Sequence, residues 1–488
     1  MDAKRKIILN SIIYAIRQIM SVLFPLISFA YASRILGVNN IGKVNYANSI
    51  ITYFVILSGL GLATYAIKVG STIRDKQKDI NEFTSQMFSI NLISTFISMI
   101  LCIILIFSFN SLKPYKYLLL VFMLLIPFTT LGIDWLYNIY EDFAYITIRT
   151  IAFQALSVIL LFIFVKNEND IIKYALITVL ATVGSNLSNL IHSRKYVIIR
   201  VTLKGLKKHI IPILLLFGMT ISTTIYTNMD TTMIGILSSD YYVGLYSAAH
   251  KIIKVLVQMI GVIRTVSLPL LSIQAGAYEK NDDEFKKTSN VILNTVILVS
   301  LPIAVVTFIS AGSILTVLAG EKYLPAVMTL RYLSVDVFFS AMSGTLVYQY
   351  VLLKRGEKPS FIITVIGTIV NLILNYFLIL KYQSTGAAIA TCISEITVFI
   401  LASIESRKYI NWNITVKHLF LSLLGCTSIV FFHFLLKLFW GNSLLSIIIA
   451  MVLGLLGYFI ILIKIGNNVI EYIYHTLIKN RNSLFDFK

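Results

Sequence analysis

The chain has 488 residues, of which 57% are hydrophobic and only 13% charged, and its formal net charge is +19. A soluble globular domain is closer to ~45–50% apolar and ~25% charged, so this composition excludes an ordinary soluble enzyme. Long apolar runs recur along the chain and predict an all-α polytopic membrane protein, in which cytoplasmic loops rather than a nucleic-acid partner explain the excess of Lys and Arg.

About fourteen apolar segments are long enough to cross a bilayer, which takes about 20 residues per helix. In chain order they are Ile7–Ala32, Gly42–Ala66, Phe83–Phe107, Tyr115–Tyr137, Tyr145–Val165, Ile171–Ile191, Ile210–Leu237, Val243–Leu271, Val291–Ala311, Leu324–Leu353, Phe361–Leu380, Gly386–Ala402, Leu419–Leu438 and Leu444–Ile463. No connecting segment is long enough to bury a core of its own, so the function is expected in or beside the membrane.

The basic residues of the loops predict the orientation of the chain. With the N-terminus in the cytoplasm, and with basic residues near the span ends counted with the adjoining loops, 27 of the 41 Lys and Arg residues lie in cytoplasmic segments, nine lie on the opposite side and five lie deeper within spans. Because cytoplasmic loops accumulate Lys and Arg, this threefold bias places both termini inside, as an even number of spans requires.

An internal duplication organises the first 410 residues. Adding 202 to the residue number maps Gly42 onto Gly244. The tetrapeptide Ser193–Tyr196 (SRKY) recurs as Ser406–Tyr409 at an offset of 213, which implies about eleven inserted residues in the second half. Six spans per repeat give both halves the same orientation, which is typical of transporters that bind substrate between two lobes. The sequence therefore predicts two six-helix lobes, 1–200 and 201–410, around a central cavity, followed by two extra helices and a cytoplasmic tail in 411–488.

The eighth predicted span contains basic residues, which are costly near the centre of a bilayer. At about 100° per residue, Lys254 and Arg264 each lie within ~40° of His250 around the helix. We call His250, Lys254 and Arg264 the basic stripe; Lys251 lies to one side of it. The stripe predicts a water-filled lining that binds an anion. The alternative is that Lys251 and Lys254 extend to the outer interface and Arg264 to the inner one.

Other ionisable residues within spans are candidates for function. Arg17, midway along the first span, is expected to face a cavity or to pair with a carboxylate. Four carboxylates within spans could relay H+ or Na+, or could instead form structural pairs or gates: Asp134, its duplicate Asp336, Asp230 and Glu395. For pairing, the candidates are Asp230 with Lys254 or Lys251, and Asp336 with Arg331. The scattered Cys and His residues show no metal-ligand spacing, and no nucleotide-binding motif is present, so no cofactor is predicted.

Several short motifs resemble a known family. Ser33–Gly37 (SRILG), Tyr46–Ser49 (YANS) and the stretch Gly132–Arg149 are similar to Wzx-type polysaccharide repeat-unit flippases of the multidrug/oligosaccharidyl-lipid/polysaccharide exporter superfamily. The likeness extends over twelve spans in two lobes, and the role of the last two spans does not carry over.

The resemblance implies a flippase of the bacterial plasma (inner) membrane that moves undecaprenyl-diphosphate-linked oligosaccharides to the outer face for O-antigen, capsule or exopolysaccharide synthesis. It implies that Arg17, His250, Lys251, Lys254 and Arg264 line a cationic cavity for the diphosphate. The implied partners are the lipid-linked oligosaccharide, the bilayer, a polysaccharide polymerase and a chain-length regulator. The alternatives are an ion-coupled multidrug antiporter, a lipid II flippase and a membrane glycan polymerase. The predominantly basic candidate lining disfavours an exporter of cationic drugs, and the short outward loops disfavour a polymerase.

Overall fold

The computed structural model describes residues 3–276, 282–440 and 444–465, and within these ranges the secondary structure is helical with no β-strand. The chain divides into two compact units, Met1–Ser247 (unit 1) and Ala248–Lys488 (unit 2). The predicted lobe boundaries at residues 200 and 410 remain predictions.

Nine helices lie in unit 1, and a tenth begins there and continues into unit 2. They are α1 (Ala3–Gly59), α2 (Leu62–Ile73), α3 (Gln77–Ser108), α4 (Lys116–Met123), α5 (Leu125–Gly132), α6 (Asp134–Ile139), α7 (Phe143–Phe164), α8 (Ile171–His192), α9 (Lys207–Leu237) and α10 (Asp240–Gly276). Two 3-10 turns, Asn110–Tyr115 and Ser193–Lys195, lie between them.

Unit 2 contains the remaining described helices. They are α11 (Asp282–Ile309), α12 (Ala311–Ala319), α13 (Val327–Thr345), α14 (Leu352–Arg355), α15 (Glu357–Ser406), α16 (Trp412–Trp440) and α17 (Leu444–Lys464). A 3-10 turn, Glu321–Ala326, precedes α13, and a π-helical turn, Leu346–Val351, follows it.

Among the described residues, eleven helices are long and apolar enough to cross a membrane, so the protein is a multi-pass membrane protein. Two of them contain a break, at Gly37 in α1 (φ 75°) and at Gln383 in α15 (φ 50°). Each break falls in a gap between two predicted spans. Counting the halves separately, and including α10 as the eighth span, gives the predicted architecture of about fourteen membrane helices.

The fourth predicted span is broken into three short helices rather than one. Pro127 lacks the N–H that would continue the α4 hydrogen-bond ladder, which explains the break between α4 and α5. The second break is at Ile133, a β-branched residue in the left-handed region at φ 44°. Asn189 compensates for it by donating a hydrogen bond of 2.6 Å to the Gly132 carbonyl. This second break places Asp134 at the first position of α6.

The connection between α8 and α9 is an extended strap that crosses α3. The strap amides of Ile198, Arg200 and Thr202 donate hydrogen bonds to side chains at successive turns of α3. The acceptors Ser85 and Ser89 are four residues apart, which places them on one helix face. The strap therefore satisfies its backbone donors with α3 side chains in place of water.

The C-terminal pair α16–α17 packs against α11. Its buried contacts include Leu298, Ile429 and Leu462, and the Tyr458 hydroxyl donates a 2.9 Å hydrogen bond to the Leu298 carbonyl. At Gly454 an added Cβ would lie 2.8 Å from the Ile429 Cα, so the two helix backbones approach as closely as small residues permit. The last two helices are thus an integral part of unit 2.

Candidate functional site

The basic stripe lies on α10, which is continuous over 37 residues. At ~1.5 Å per residue, His250 and Arg264 are ~21 Å apart along this helix. Lys254 is exposed, whereas His250, Lys251 and Arg264 are half-buried. An uninterrupted helix keeps the stripe on one face, so it can present cations at several depths to an extended anionic ligand.

The Arg264 guanidinium lies in a space created by two glycines. A Cβ at Gly344 on α13 would overlap Nη1, and a Cβ at Gly261 would lie 3.2 Å from Nη2. Glycine is the residue that permits so close an approach, because any side chain would occupy the volume of the guanidinium. The Gly344 backbone therefore defines where the Arg264 side chain can lie.

The backbone next to Arg264 is held by Gln349. Its Nε2 donates hydrogen bonds of 2.7 Å both to the Arg264 carbonyl and to Ser267 Oγ. Gln349 is buried and lies in the π-helical turn Leu346–Val351. Such turns occur frequently at functional sites, because the extra residue changes the direction of the side chains around it. This turn directs a buried amide toward α10.

A buried carboxylate accompanies this arginine. Glu395 on α15 is buried and accepts a 2.6 Å hydrogen bond from Ser343 Oγ. Glu395 and Tyr348 are close enough to Arg264 to interact with it electrostatically. The resulting site in unit 2 contains a cation, Arg264, a carboxylate of opposite charge, Glu395, and the hydroxyls of Ser343 and Tyr348. Such a site can bind an anion, which then replaces Glu395 as the counter-ion of the arginine.

The sequence alone did not identify Ser343, Gly344, Tyr348 or Gln349 as part of this site. The available signal was the concentration of small and polar residues in Ser343–Tyr350 (SGTLVYQY), within an otherwise apolar span. That pattern is also typical of ordinary helix packing, so it does not by itself indicate a ligand.

Asp134 forms an ion pair with Arg149 on α7, with 3.2 Å between Oδ1 and Nη2. The Arg149 side chain is only 5% exposed, whereas that of Asp134 is 48% exposed. Asn189 donates a second hydrogen bond of 2.5 Å to the same Asp134 oxygen. Through these contacts Asp134 links α6, α7 and α8.

The other carboxylates lie in separate places. Asp230 is buried on α9 and accepts a 2.5 Å hydrogen bond from the Tyr246 hydroxyl. Asp336 is buried on α13. The Arg331 guanidinium lies over the Phe308 ring, 5.6 Å from its centroid.

Arg17 belongs to α1, but its side chain lies outside the described residues.

The profile of a family described as "Polysaccharide biosynthesis protein" matches residues 7–274, more than half of the chain. A "Putative O-antigen transporter" of Escherichia coli K12 is 22% identical over 411 residues, covering 82% of this chain and 97% of the relative. A "Probable low-salt glycan biosynthesis flippase Agl15" of Haloferax volcanii is 25% identical over 246 residues, about half of each chain.

Solved structures show the same fold. The lipid II flippase MurJ in its inward closed conformation superposes with a TM-score of 0.75 at 17% identity, covering 95% of this chain and all of MurJ. An inward-facing multidrug resistance MATE transporter superposes with a TM-score of 0.63 at 14% identity, covering 82% of this chain and 98% of the transporter.

These relatives and structures are named as transporters or flippases, in agreement with the prediction of a transporter rather than an enzyme. The family match agrees with the motifs in the first half of the sequence, and the superpositions extend the shared fold to the second half. The chain therefore belongs to the polysaccharide biosynthesis protein family and has the all-α fold shared by MurJ and the MATE transporters.

Proposed function

We propose that the protein is a flippase that moves undecaprenyl-diphosphate-linked oligosaccharide repeat units from the cytoplasmic to the outer face of the bacterial plasma membrane by alternating access. Its family and the names of its relatives support a role in moving a glycan precursor. The basic bias of the predicted cytoplasmic segments supports placing both termini inside.

The observation that carries this proposal is Arg264 in the space beside Gly344. A guanidinium forms paired, charge-assisted hydrogen bonds with phosphate oxygens. The Gly344 backbone and the Gln349 bonds restrict its position, which lowers the entropy lost on binding. In this proposal Arg264 binds the diphosphate, while Lys254 and His250 contact the same anionic head group farther along α10.

Glu395 is the proposed internal counter-ion of Arg264. When the site is empty, its carboxylate offsets the positive charge of the arginine. An incoming diphosphate competes for that charge, and Glu395 then takes up H+ or Na+. Asp230 and Asp336 are further candidates for such coupling because both are buried carboxylates. No resident cofactor takes part in this mechanism.

Protein partners follow from the same proposal. A repeat unit delivered to the outer face is the substrate for chain extension there. A polysaccharide polymerase and a chain-length regulator are therefore the expected neighbours in the membrane.

A deletion strain complemented with defined variants tests the proposal. Wild type, Arg264→Ala and the control Lys381→Ala would be expressed at matched levels. Lys381 is an exposed cation on α15, far along the chain from the stripe. The undecaprenyl-linked saccharides of each strain would be extracted, weighed by mass spectrometry and assigned to a membrane leaflet by an impermeant label.

The proposal is supported if complete repeat units accumulate on the cytoplasmic face in the deletion strain and in the Arg264→Ala strain. In the wild-type and Lys381→Ala strains they should reach the outer face. Accumulation of lipid II instead would make the protein a lipid II flippase. Outer-face units left unpolymerised would indicate a polymerase, and normal glycans with lower dye efflux would indicate a drug antiporter.

A further inference from the structure

A second polar site lies in unit 2, between the C-terminal helix pair and the helices that precede it. An open cavity of about 410 Å³ is lined by the ends of α11 and α16, by α12, and by the starts of α13 and α17. Much of its lining is apolar, including Ile309, Val317, Leu324, Val327 and Ile447. The proposed transport mechanism assigns no role to this cavity.

Three basic side chains interrupt the apolar lining of this cavity. Arg331 comes from α13, one turn after Val327, and His433 and Lys437 come from successive turns of α16. The described lining contains no carboxylate. Two cations, Arg331 and Lys437, and one histidine converge from two helices without a neutralising acid, which is an arrangement expected for binding an anion.

Arg331 has unused hydrogen-bonding capacity. Its Nε is buried and has no hydrogen-bond acceptor among the described residues. Its described contacts are weak ones, a 3.8 Å interaction of Nη1 with Met328 Sδ and the position of the guanidinium over the Phe308 ring. A buried donor without a partner costs free energy, and a bound anion would remove that cost.

The cavity lies at the end of unit 2 that is farthest from its basic loops. At the other end, the start of α11 meets the start of α16, where Asn290 Oδ1 accepts from the Asn411 amide at 3.0 Å. Lys437 follows Lys417 by 20 residues on α16. That separation is ~30 Å of helix, the thickness of a bilayer core. With the basic loops in the cytoplasm, the cavity lies at the outer leaflet.

The surroundings of the cavity are suited to lipid. Leu438 and Phe439 next to Lys437 are 81% and 71% exposed, and Phe434 and Leu445 are also exposed. Such side chains at a membrane-facing helix end contact acyl chains. The cavity adds Ser313, whose hydroxyl can donate to a phosphate oxygen. Cations and a hydroxyl inside, with apolar residues outside, match a phosphate group that carries acyl chains.

We propose that this cavity binds the phosphate group of an anionic phospholipid of the outer leaflet. Arg331, His433 and Lys437 contact the phosphate, and the apolar residues around the opening contact the acyl chains. The bound lipid links α13 to α16 and so holds the C-terminal pair against the rest of unit 2.

Native mass spectrometry of the purified, full-length protein in detergent tests this proposal. Phosphatidylglycerol and phosphatidylcholine of identical acyl chains would be titrated separately into wild type and the double variant Arg331→Gln/Lys437→Gln. The control, Lys322→Gln/Lys381→Gln, removes the same number of charges from exposed positions outside the cavity. Thermal unfolding would be recorded for every variant, and the single variant His433→Gln serves if the double variant does not fold.

We expect wild type and the control to bind phosphatidylglycerol in preference to phosphatidylcholine. The double variant should lose at least about tenfold in affinity, because each charge-assisted contact is worth about that factor. Equal binding by the double variant and the control would overturn the site. Displacement by millimolar inorganic phosphate, with no preference for a phospholipid, would overturn the lipid assignment in favour of a free anion. Neither readout depends on transport, so the result is independent of the flippase proposal.

Discussion

Arg264 and Gly344 occupy adjoining space, so that the guanidinium of one lies where any side chain of the other would have to be. This relationship makes a glycine on α13 as important for the proposed anion site as the arginine on α10. It also allows the site to be tested without changing a charge.

Gly344→Ala should impair transport almost as strongly as Arg264→Ala, because the added methyl group displaces the guanidinium from its position. Loss of a charge-assisted contact of ~1.5–3 kcal/mol corresponds to a roughly 10- to 100-fold fall in transport. The measurement is the rate at which repeat units appear on the outer face. The control is Gly218→Ala, where an added Cβ would meet nothing within 4 Å. Normal transport by Gly344→Ala would show that the position of Arg264 is not critical.

Glu395→Gln should abolish the dependence of transport on H+ or Na+, because an uncharged amide cannot take up H+ or Na+ when the diphosphate binds. The hydrogen bond from Ser343 can be retained, since a Gln carbonyl oxygen also accepts. Transport would be measured in vesicles with imposed pH or Na+ gradients. Asp75→Asn is the control, because the Asp75 carboxylate is fully exposed and its loss should leave the fold unchanged. An unchanged gradient dependence in Glu395→Gln would exclude Glu395 as the coupling residue.

Asp134→Asn should destabilise the protein by about 1.5–3 kcal/mol, because Arg149 is left buried without an anion. The effect should fall in the lower half of this range, since Asp134 is half exposed and partly screened by solvent. The double variant Asp134→Asn/Arg149→Met should regain stability relative to Asp134→Asn. Thermal unfolding in detergent provides the measurement, with the fully exposed Asp75→Asn as control. Equal stabilities for Asp134→Asn and Asp75→Asn would contradict the pairing.

Asp170, in the connection between α7 and α8, should make stability depend on pH in acid. A hydrogen bond from Lys173 and backbone bonds from Lys166 and Asn167 lower the pKa of its carboxyl from 3.8 to about 2. A lowered pKa in the folded state gives stabilisation that is complete above the unfolded pKa and is lost as pH falls through the folded one. The stability difference between wild type and Asp170→Asn should therefore hold above pH ~4 and shrink between ~4 and ~2.

Unfolding temperatures measured at a series of pH values would test this dependence. Lys173→Met removes the hydrogen bond that contributes most to the lowered pKa of Asp170. In that variant the stability contributed by Asp170 should therefore be lost over a narrower pH range. A stability difference that stays constant down to pH ~2 would contradict the expected role of Asp170.

Ser85→Ala and Ser89→Ala should loosen the strap between α8 and α9. The Arg200 and Thr202 amides would lose their acceptors, which costs about 1 kcal/mol each and should raise local hydrogen exchange about five- to tenfold. Exchange measured by mass spectrometry on peptides covering the strap gives the readout. Ser157→Ala, which removes only a bond within its own helix, is the matched control. Unchanged exchange in both serine variants would mean that α3 does not hold the strap.

Apolar length, loop charge and turn residues allowed the membrane helices to be predicted from the sequence. The gaps around Gly37 and Gln383 were recognisable even though each lies inside a continuous helical stretch. The break at Ile133 was not predicted, because it depends on Asn189, more than 50 residues away, to compensate for the strained backbone.

The basic stripe could be predicted because 3.6-residue periodicity lies within one segment. The residues beside Arg264, namely Gly344, Gln349 and Glu395, could not be predicted. They come from other helical segments, and local periodicity does not show which helix faces meet. The same reason explains why Arg149, in the fifth predicted span, was not recognised as the partner of Asp134, in the fourth. The sequence shows which residues share a helix face, but helix packing decides which faces share a site.

The contact of α16 and α17 with α11 has a consequence for how chains of this family can differ in length. Tyr458 donates a hydrogen bond to the Leu298 carbonyl, and Ile429 packs on Gly454. The helices α16 and α17 therefore pack as part of unit 2 and cannot be removed without exposing α11. In a shortened chain ending before Trp412, the face of α11 that carries Leu298 would lose its contact with α16 and α17 and would face lipid or another helix. A twelve-helix relative must therefore carry a different set of residues on its equivalent of α11, and the character of that helix face should indicate whether a homologue has the pair.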